Sequence, residues 1–233
     1  MSEPFDFSKL GELGEIPDPL SASPPEPHFR DFRSSSDGPD RTTTRRRRWI
    51  ALALSGAWLG GHLLVFGVRG DLSKLPVAYV VGQIALPFVL AVASLWVALT
   101  RGRAGLGARV VALVTLSFVG PVAFWAVATL APSPRPALAG EASGVRVLLC
   151  LDLTLLWTAV PLLCAALVLR HAFPAASRWR SALLAVAAGL LASGVMNLHC
   201  PNVTKLHIAV GHGLPILIAL VVGAILMPRA TRA

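Results

Sequence analysis

Six long apolar segments set the limits on how this chain folds. They cover about residues 49–68, 76–99, 110–131, 147–169, 181–197 and 206–227. A helix needs roughly 20 apolar residues to cross the hydrocarbon core of a bilayer, and each segment is near that length. Only 14% of the 233 residues are charged, which is too few to cover the surface of a soluble domain of this size. The sequence therefore predicts an all-α integral membrane protein, with a six-helix transmembrane bundle over residues 49–228.

The basic residues predict how this bundle is oriented. Cytoplasmic loops of membrane proteins carry an excess of Lys and Arg. Thirteen basic residues fall on one side of the six segments: Arg41, Arg45, Arg46, Arg47, Arg48, Arg101, Arg103, Arg109, Arg170, Arg178, Arg180, Arg229 and Arg232. Five fall on the other side: Arg69, Lys74, Arg135, Arg146 and Lys205. The Ala-, Arg- and Gly-rich composition is typical of a bacterial chain, so we expect a multi-pass protein of the bacterial inner membrane, embedded in the lipid bilayer, with both termini cytoplasmic.

The first 48 residues have a different composition from the rest. Nine acidic residues precede Arg41 against three basic ones, and Pro and Ser are abundant. Such a segment buries too little apolar area to offset its ordering entropy, so we predict a disordered acidic cytoplasmic tail over residues 1–48. Its scattered apolar residues are spaced as in a short linear motif, although a solvated leader without function is the alternative. The candidate partner-binding residues are Phe5, Phe7, Leu10, Leu13 and Ile16.

Polar residues inside the segments fall at one depth. At a helical rise of ~1.5 Å per residue, His62, Asp152 and His212 lie roughly 8–9 Å below the outer membrane boundary. Cys150, His199, Cys200 and His207 lie closer to that boundary. Because polar groups are costly in hydrocarbon, their convergence near the outer face predicts a functional site there.

Metal binding is the first chemistry that this layer suggests. Imidazole, thiolate and carboxylate suit a divalent cation such as zinc, although the sequence makes no cofactor certain. The candidate ligands are His62, Asp152, His199, Cys200, His207 and His212. Residues five apart on an α-helix point ~140° apart, so His207 and His212 are not expected to bind one metal from a regular helix face. A site then needs ligands from several segments.

Thiol chemistry and proton or electron transfer are the other two possibilities. Cys150 and Cys200 both lie near the outer boundary, where an oxidising compartment permits a disulfide. The sequence leaves open whether they come within reach of each other. A haem or quinone site has weaker support, since no CxxCH motif is present.

The layout resembles the negative-regulator-of-sigma-F family of bacterial membrane anti-sigma factors over roughly residues 45 to 228. The features that carry this resemblance are six segments with both termini inside, Cys150 near the outer end of the fourth, and His199-Cys200-Pro201 after the fifth. The myxobacterial carotenoid-regulating anti-sigma factors are similar in plan. The resemblance implies a cytoplasmic N-terminal segment that holds an extracytoplasmic-function sigma factor at the membrane. It also implies that Cys150 and Cys200 sense metal or oxidative stress.

Two other functions remain open at this stage. One is a membrane enzyme or transporter with a His/Cys/Asp metal site. Asp152 is the single carboxylate within a predicted span, so the support for this function is weak. The other is a packing or assembly protein with no ligand. We predict a regulator rather than an enzyme, with a sigma factor as its partner and no direct contact with nucleic acid.

Overall fold

The structure is a computed structural model that describes residues 41–99, 110–130, 144–172 and 178–230. Every regular element in these ranges is helical. The six long helices are α1 (Arg41–Phe66), α2 (Val77–Leu99), α3 (Val110–Leu130), α4 (Gly144–Ala172), α5 (Arg178–His199) and α6 (Lys205–Arg229). Each is long and apolar enough to cross a membrane. The prediction of an all-helical chain with six helices of membrane-spanning length is confirmed for the part described.

The first helix begins earlier than predicted. It starts at Arg41, so residues 41–48, which the sequence analysis assigned to the disordered tail, are helical. Arginine is a good helix former, and the apolar segment that follows lets the helix propagate toward its N-terminus. The helix ends where Gly67 adopts a φ of 77°, and the amide of Gly67 donates to the carbonyl of Leu63 at 2.9 Å. Gly67 closes the helix in a left-handed backbone conformation, which favours glycine at this position.

Helix α5 is the centre of the bundle. Within its span 89% of the residues are buried, against 11% for α1. Its inward positions carry many small residues, which let neighbouring helices approach closely: Ala182, Ala185, Ala187, Ala188, Gly189, Ala192, Ser193 and Gly194. A Cβ on Gly189 would lie 3.0 Å from the Cα of Ile216, so α6 packs directly against the α5 backbone there.

Two spans contain a π-helical segment that is followed by a proline. Val80–Ala85 precedes Pro87 in α2, and Ile208–Gly213 precedes Pro215 in α6. Proline has no amide hydrogen and its ring crowds the carbonyl four residues earlier. At Pro87 that carbonyl belongs to Gln83, and the side-chain amide of Asn197 donates to it at 2.8 Å instead. Each widened turn lies at the end of the bundle where the polar residues collect.

Candidate functional site

Four soft-ligand side chains meet at the outer end of the bundle, as the sequence analysis defined that end. Cys150 comes from α4, Cys200 from the loop after α5, and His207 and His212 from α6. One ligand atom from each residue lies within 4.8 Å of all the others. Cys200 and both histidines are buried, and Cys150 is half-buried. Three chain segments therefore supply one compact thiol and imidazole cluster.

The two thiols of the cluster touch without being bonded. The Sγ atoms of Cys150 and Cys200 are 3.8 Å apart, and both cysteines are free. His207 Nε2 lies 3.3 Å from the Cys200 sulfur. The hydrogen bond from the Cys150 thiol lowers the pKa of Cys200 below its ordinary value, with a further contribution from His207, and together they outweigh the opposing effect of burial. A lowered pKa favours the thiolate form of Cys200, which is the form that reacts with oxidants and binds metals.

The two histidines of α6 lie side by side, although they were not expected to bind one metal from a regular α-helical face. That prediction assumed α-helical geometry, but Ile208–Gly213 is π-helical. In a π-helix the amide pairs with the carbonyl five residues earlier, so side chains five positions apart come onto one face. The ring centroids of His207 and His212 are 5.2 Å apart and the rings are nearly perpendicular.

Hydrogen bonds orient His212 within the cluster. Its Nδ1 donates to the side-chain oxygen of Asn197, which is itself held by the Gln83 carbonyl. The hydroxyl of Ser193 donates to the His212 backbone carbonyl at 2.6 Å. Because Nδ1 carries the hydrogen, Nε2 of His212 has a free lone pair, and it is buried with no hydrogen-bond partner. His207 Nδ1 is also buried without a partner.

Gly211 gives α4 and α6 the room to bring these ligands together. A Cβ at this position would lie 3.3 Å from the Cβ of Cys150 and 3.7 Å from Nε2 of His207. The first distance is tighter than ordinary carbon contacts, so a side chain here would press on Cys150. The absence of a Cβ is thus part of how the cluster is assembled.

Two other candidate ligands, His62 and His199, form a separate pair. Their ring centroids are 4.9 Å apart, and His62 also packs edge-on against Trp157 at 4.4 Å. His62 is buried, and neither of its ring nitrogens has a hydrogen-bond partner. His199 Nδ1 lies 3.1 Å from the Gly67 carbonyl. The sequence pattern gave the position of these residues along their helices but did not reveal which face of the helix they occupy.

Asp152 lies outside both groups. It is exposed on the outward face of α4 and is not part of the cluster that Cys150 joins from the same helix. The sequence analysis grouped it with the metal candidates because of its depth alone. Among the described residues, the cluster therefore has sulfur and nitrogen ligands and no carboxylate.

Arg69 is a functional candidate that the sequence analysis missed. Its guanidinium donates to both carboxylate oxygens of Asp71, at 2.6 and 2.8 Å. It also donates to the carbonyls of Cys200 and Pro201, at 2.8 and 3.1 Å. The hydrogen bond from Arg69 lowers the pKa of the Asp71 carboxyl. We call this arrangement of Arg69, Asp71 and the two carbonyls the outer clasp. In the sequence, this pair could have been inferred from Arg69-Gly70-Asp71, which places an arginine and an aspartate in one short loop.

The predicted partner-binding residues Phe5, Phe7, Leu10, Leu13 and Ile16 lie outside the described residues. The family model for the negative regulator of sigma F matches residues 34–232. No curated protein and no solved structure matches the chain.

Proposed function

The chain belongs to the negative regulator of sigma F family, and from this premise we propose that it holds an extracytoplasmic-function sigma factor at the bacterial inner membrane. The family description indicates that the partner is a sigma factor and that the function is its negative regulation. Six helices of membrane-spanning length support a multi-pass anchor. The protein then acts as a membrane-bound anti-sigma factor and not as an enzyme.

The distribution of basic residues supports the orientation of this anchor. Thirteen Lys and Arg residues on one side against five on the other favour cytoplasmic termini. The cluster of Cys150, Cys200, His207 and His212 then faces the outer side. The N-terminal tail faces the compartment in which a sigma factor works.

The tail is the proposed sigma-binding segment. A sigma factor exposes basic surfaces for contact with DNA, and nine acidic residues before Arg41 complement that charge. The apolar residues Phe5, Phe7, Leu10, Leu13 and Ile16 supply surface that is buried against the partner. The anti-sigma factor itself needs no contact with nucleic acid in this scheme.

The thiol and imidazole cluster is the proposed sensor, and its assembly from three chain segments is the observation that carries this proposal. A soft metal ion binds thiolate and imidazole. Alternatively, hydrogen peroxide oxidises the pair: the two thiols give two protons and two electrons to the peroxide, a sulfur–sulfur bond forms, the oxygen–oxygen bond breaks, and the two oxygens leave as two water molecules. The separation of 3.8 Å between the sulfurs of Cys150 and Cys200 supports either reaction.

The outer clasp and α1 are the proposed route from sensor to tail. Arg69 joins the loop after α1 to the loop that carries Cys200, and α1 continues directly from the tail. Helix α1 is the least buried span and packs mainly on α4 and α5. A change in the position of Cys200 would therefore bias the position of α1 at little packing cost, in the way that bistable helix contacts switch.

The alternative function is a membrane enzyme or transporter with a metal site, and capture of the sigma factor distinguishes the two. The test captures the sigma factor with the full-length chain from membranes and identifies it by mass. Replacing Phe5, Phe7, Leu10, Leu13 and Ile16 with Ser should abolish capture. The matched control replaces Ser34, Ser35 and Ser36 with Ala and should retain it. Capture that survives the five substitutions and the deletion of residues 1–40 would contradict the anti-sigma function of the tail.

A further inference from the structure

We infer that Cys150, Cys200, His207 and His212 form a closed tetrahedral site for a divalent cation of the zinc class, occupied in the resting protein. The inference deepens the sensor role and rests on the proposed function only for its regulatory consequence. The residues come from one half-buried and three buried positions, so the site is enclosed by protein.

The distances within the cluster fit a tetrahedral zinc centre. With zinc–sulfur bonds of about 2.3 Å and zinc–nitrogen bonds of about 2.0–2.1 Å, a tetrahedron has a sulfur–sulfur edge of about 3.8 Å and a sulfur–nitrogen edge of about 3.6 Å. The sulfurs of Cys150 and Cys200 are 3.8 Å apart, and His207 Nε2 is 3.3 Å from the Cys200 sulfur. All the remaining separations are within 4.8 Å, so side-chain rotation brings the four atoms to bonding distance.

The charge of the four ligands suits a divalent cation. Two thiolates and two neutral imidazoles bring two negative charges, which cancel the charge of the metal. A neutral complex is the form that a buried, low-dielectric site favours, because isolated charges are costly to remove from water. The all-sulfur-and-nitrogen ligand set selects zinc or a softer relative over magnesium and calcium.

The surroundings of His212 are those of a metal ligand. Metal-binding histidines usually donate their other ring N–H to an oxygen acceptor, which fixes the tautomer and the ring orientation. His212 does this through Asn197, and its Nε2 is buried with no hydrogen-bond partner. A buried lone pair without a bonding partner is costly. A cation in the cluster supplies that partner.

The closed geometry assigns the metal a structural and regulatory role. Four protein ligands fill a tetrahedral zinc site and leave no position for substrate. Loss of the metal, or its replacement by a larger thiophilic ion, then moves the loop of Cys200, to which Arg69 is attached.

Cobalt substitution of the purified full-length chain tests the site. After removal of metal with a chelator, titration with Co²⁺ should give one ion per chain, the visible bands of tetrahedral cobalt and a near-ultraviolet thiolate charge-transfer band, all lost on adding Zn²⁺. His212→Ala should abolish the tetrahedral spectrum. Asn197→Ala should weaken Co²⁺ binding about 10–100-fold, as loss of a partner behind a ligand does. Circular dichroism checks that each variant is folded.

Cys164→Ala and His62→Ala are the controls, since neither residue belongs to the cluster, and both should bind Co²⁺ as the wild type does. An octahedral spectrum, or tetrahedral binding that persists in both His207→Ala and His212→Ala, would overturn the inference. Sigma-factor capture is measured on the same preparations. Loss of the cobalt signal with intact capture refutes the metal site alone, whereas intact cobalt binding without capture refutes the proposed function alone.

Discussion

Replacing Arg69 with Ala should open the outer clasp. The Arg69 side chain is 1% exposed and makes four hydrogen bonds, two to the Asp71 carboxylate and two to the carbonyls of Cys200 and Pro201. Breaking a buried ion pair costs roughly 3–5 kcal/mol, and Asp71 is 24% exposed, so water recovers part of that cost. Each orphaned carbonyl costs about 1–3 kcal/mol, again reduced where water reaches it. We expect the attachment to weaken by about 2–4 kcal/mol in total.

Amide hydrogen exchange measures this opening directly. The Arg69 amide donates to the Leu198 carbonyl at 2.9 Å and remains in the Ala variant, so it reports whether the loop stays attached. A loss of about 2–4 kcal/mol accelerates its exchange roughly 30- to 1,000-fold, up to the limit set by global unfolding. The variant should also uncouple stress from sigma-factor release while it still binds metal.

Lys74→Ala is the matched control for Arg69→Ala, because Lys74 is an exposed basic residue of the same loop. It should leave both exchange and signalling unchanged. Equal exchange rates in Arg69→Ala and Lys74→Ala would refute the reasoning that the clasp fastens the two loops.

Three further predictions concern the cluster and its loop. Gly211→Ala should weaken metal binding at least tenfold in a cobalt titration, because its Cβ presses on the Cβ of Cys150; unchanged affinity would show that the helices can separate freely. In the metal-free protein, Cys200 should still react with methyl methanethiosulfonate at a pH where an ordinary thiol, with a pKa of about 8.5, has slowed about tenfold per pH unit, since the pKa of Cys200 is lowered. Because the pKa of Asp71 is lowered, its carboxylate stabilises the clasp fully above about pH 4, which is the pKa of an Asp side chain in the unfolded chain. This stabilisation is lost only as the pH falls through the lower pKa that Asp71 has in the folded protein. Arg69 amide protection should therefore be flat between pH 5 and 8 after correction for intrinsic exchange.

The sequence was sufficient to predict the helical architecture because spanning length and apolar composition are local properties. The six predicted segments match the six helices, and the largest difference is the start of α1 at Arg41. The central position of α5 was not predicted. All six segments are similarly apolar, and only the density of small residues in α5 distinguishes the helix that is surrounded by others.

The candidate site was only partly predictable, for three physical reasons. Depth along a helix follows from residue number, but the face of the helix does not, so Asp152 was grouped with residues that it does not approach. The pairing of His207 with His212 depends on a π-helical turn, which a rule of 100° per residue excludes. Arg69 binds backbone carbonyls, and because every residue has a carbonyl, the residue types do not reveal which ones accept the hydrogen bonds.

The most direct test of the account measures how much sigma factor stays on the membrane protein under stress. The full-length chain is purified from cells before and after exposure to cadmium or peroxide, and the co-purified sigma factor is quantified by mass spectrometry. The wild type and Cys164→Ala should both lose the sigma factor on treatment. The double variant Cys150→Ser, Cys200→Ser should respond to neither stress. The same stress-dependent loss in the double variant as in the wild type would contradict the claim that this thiol pair is the sensor.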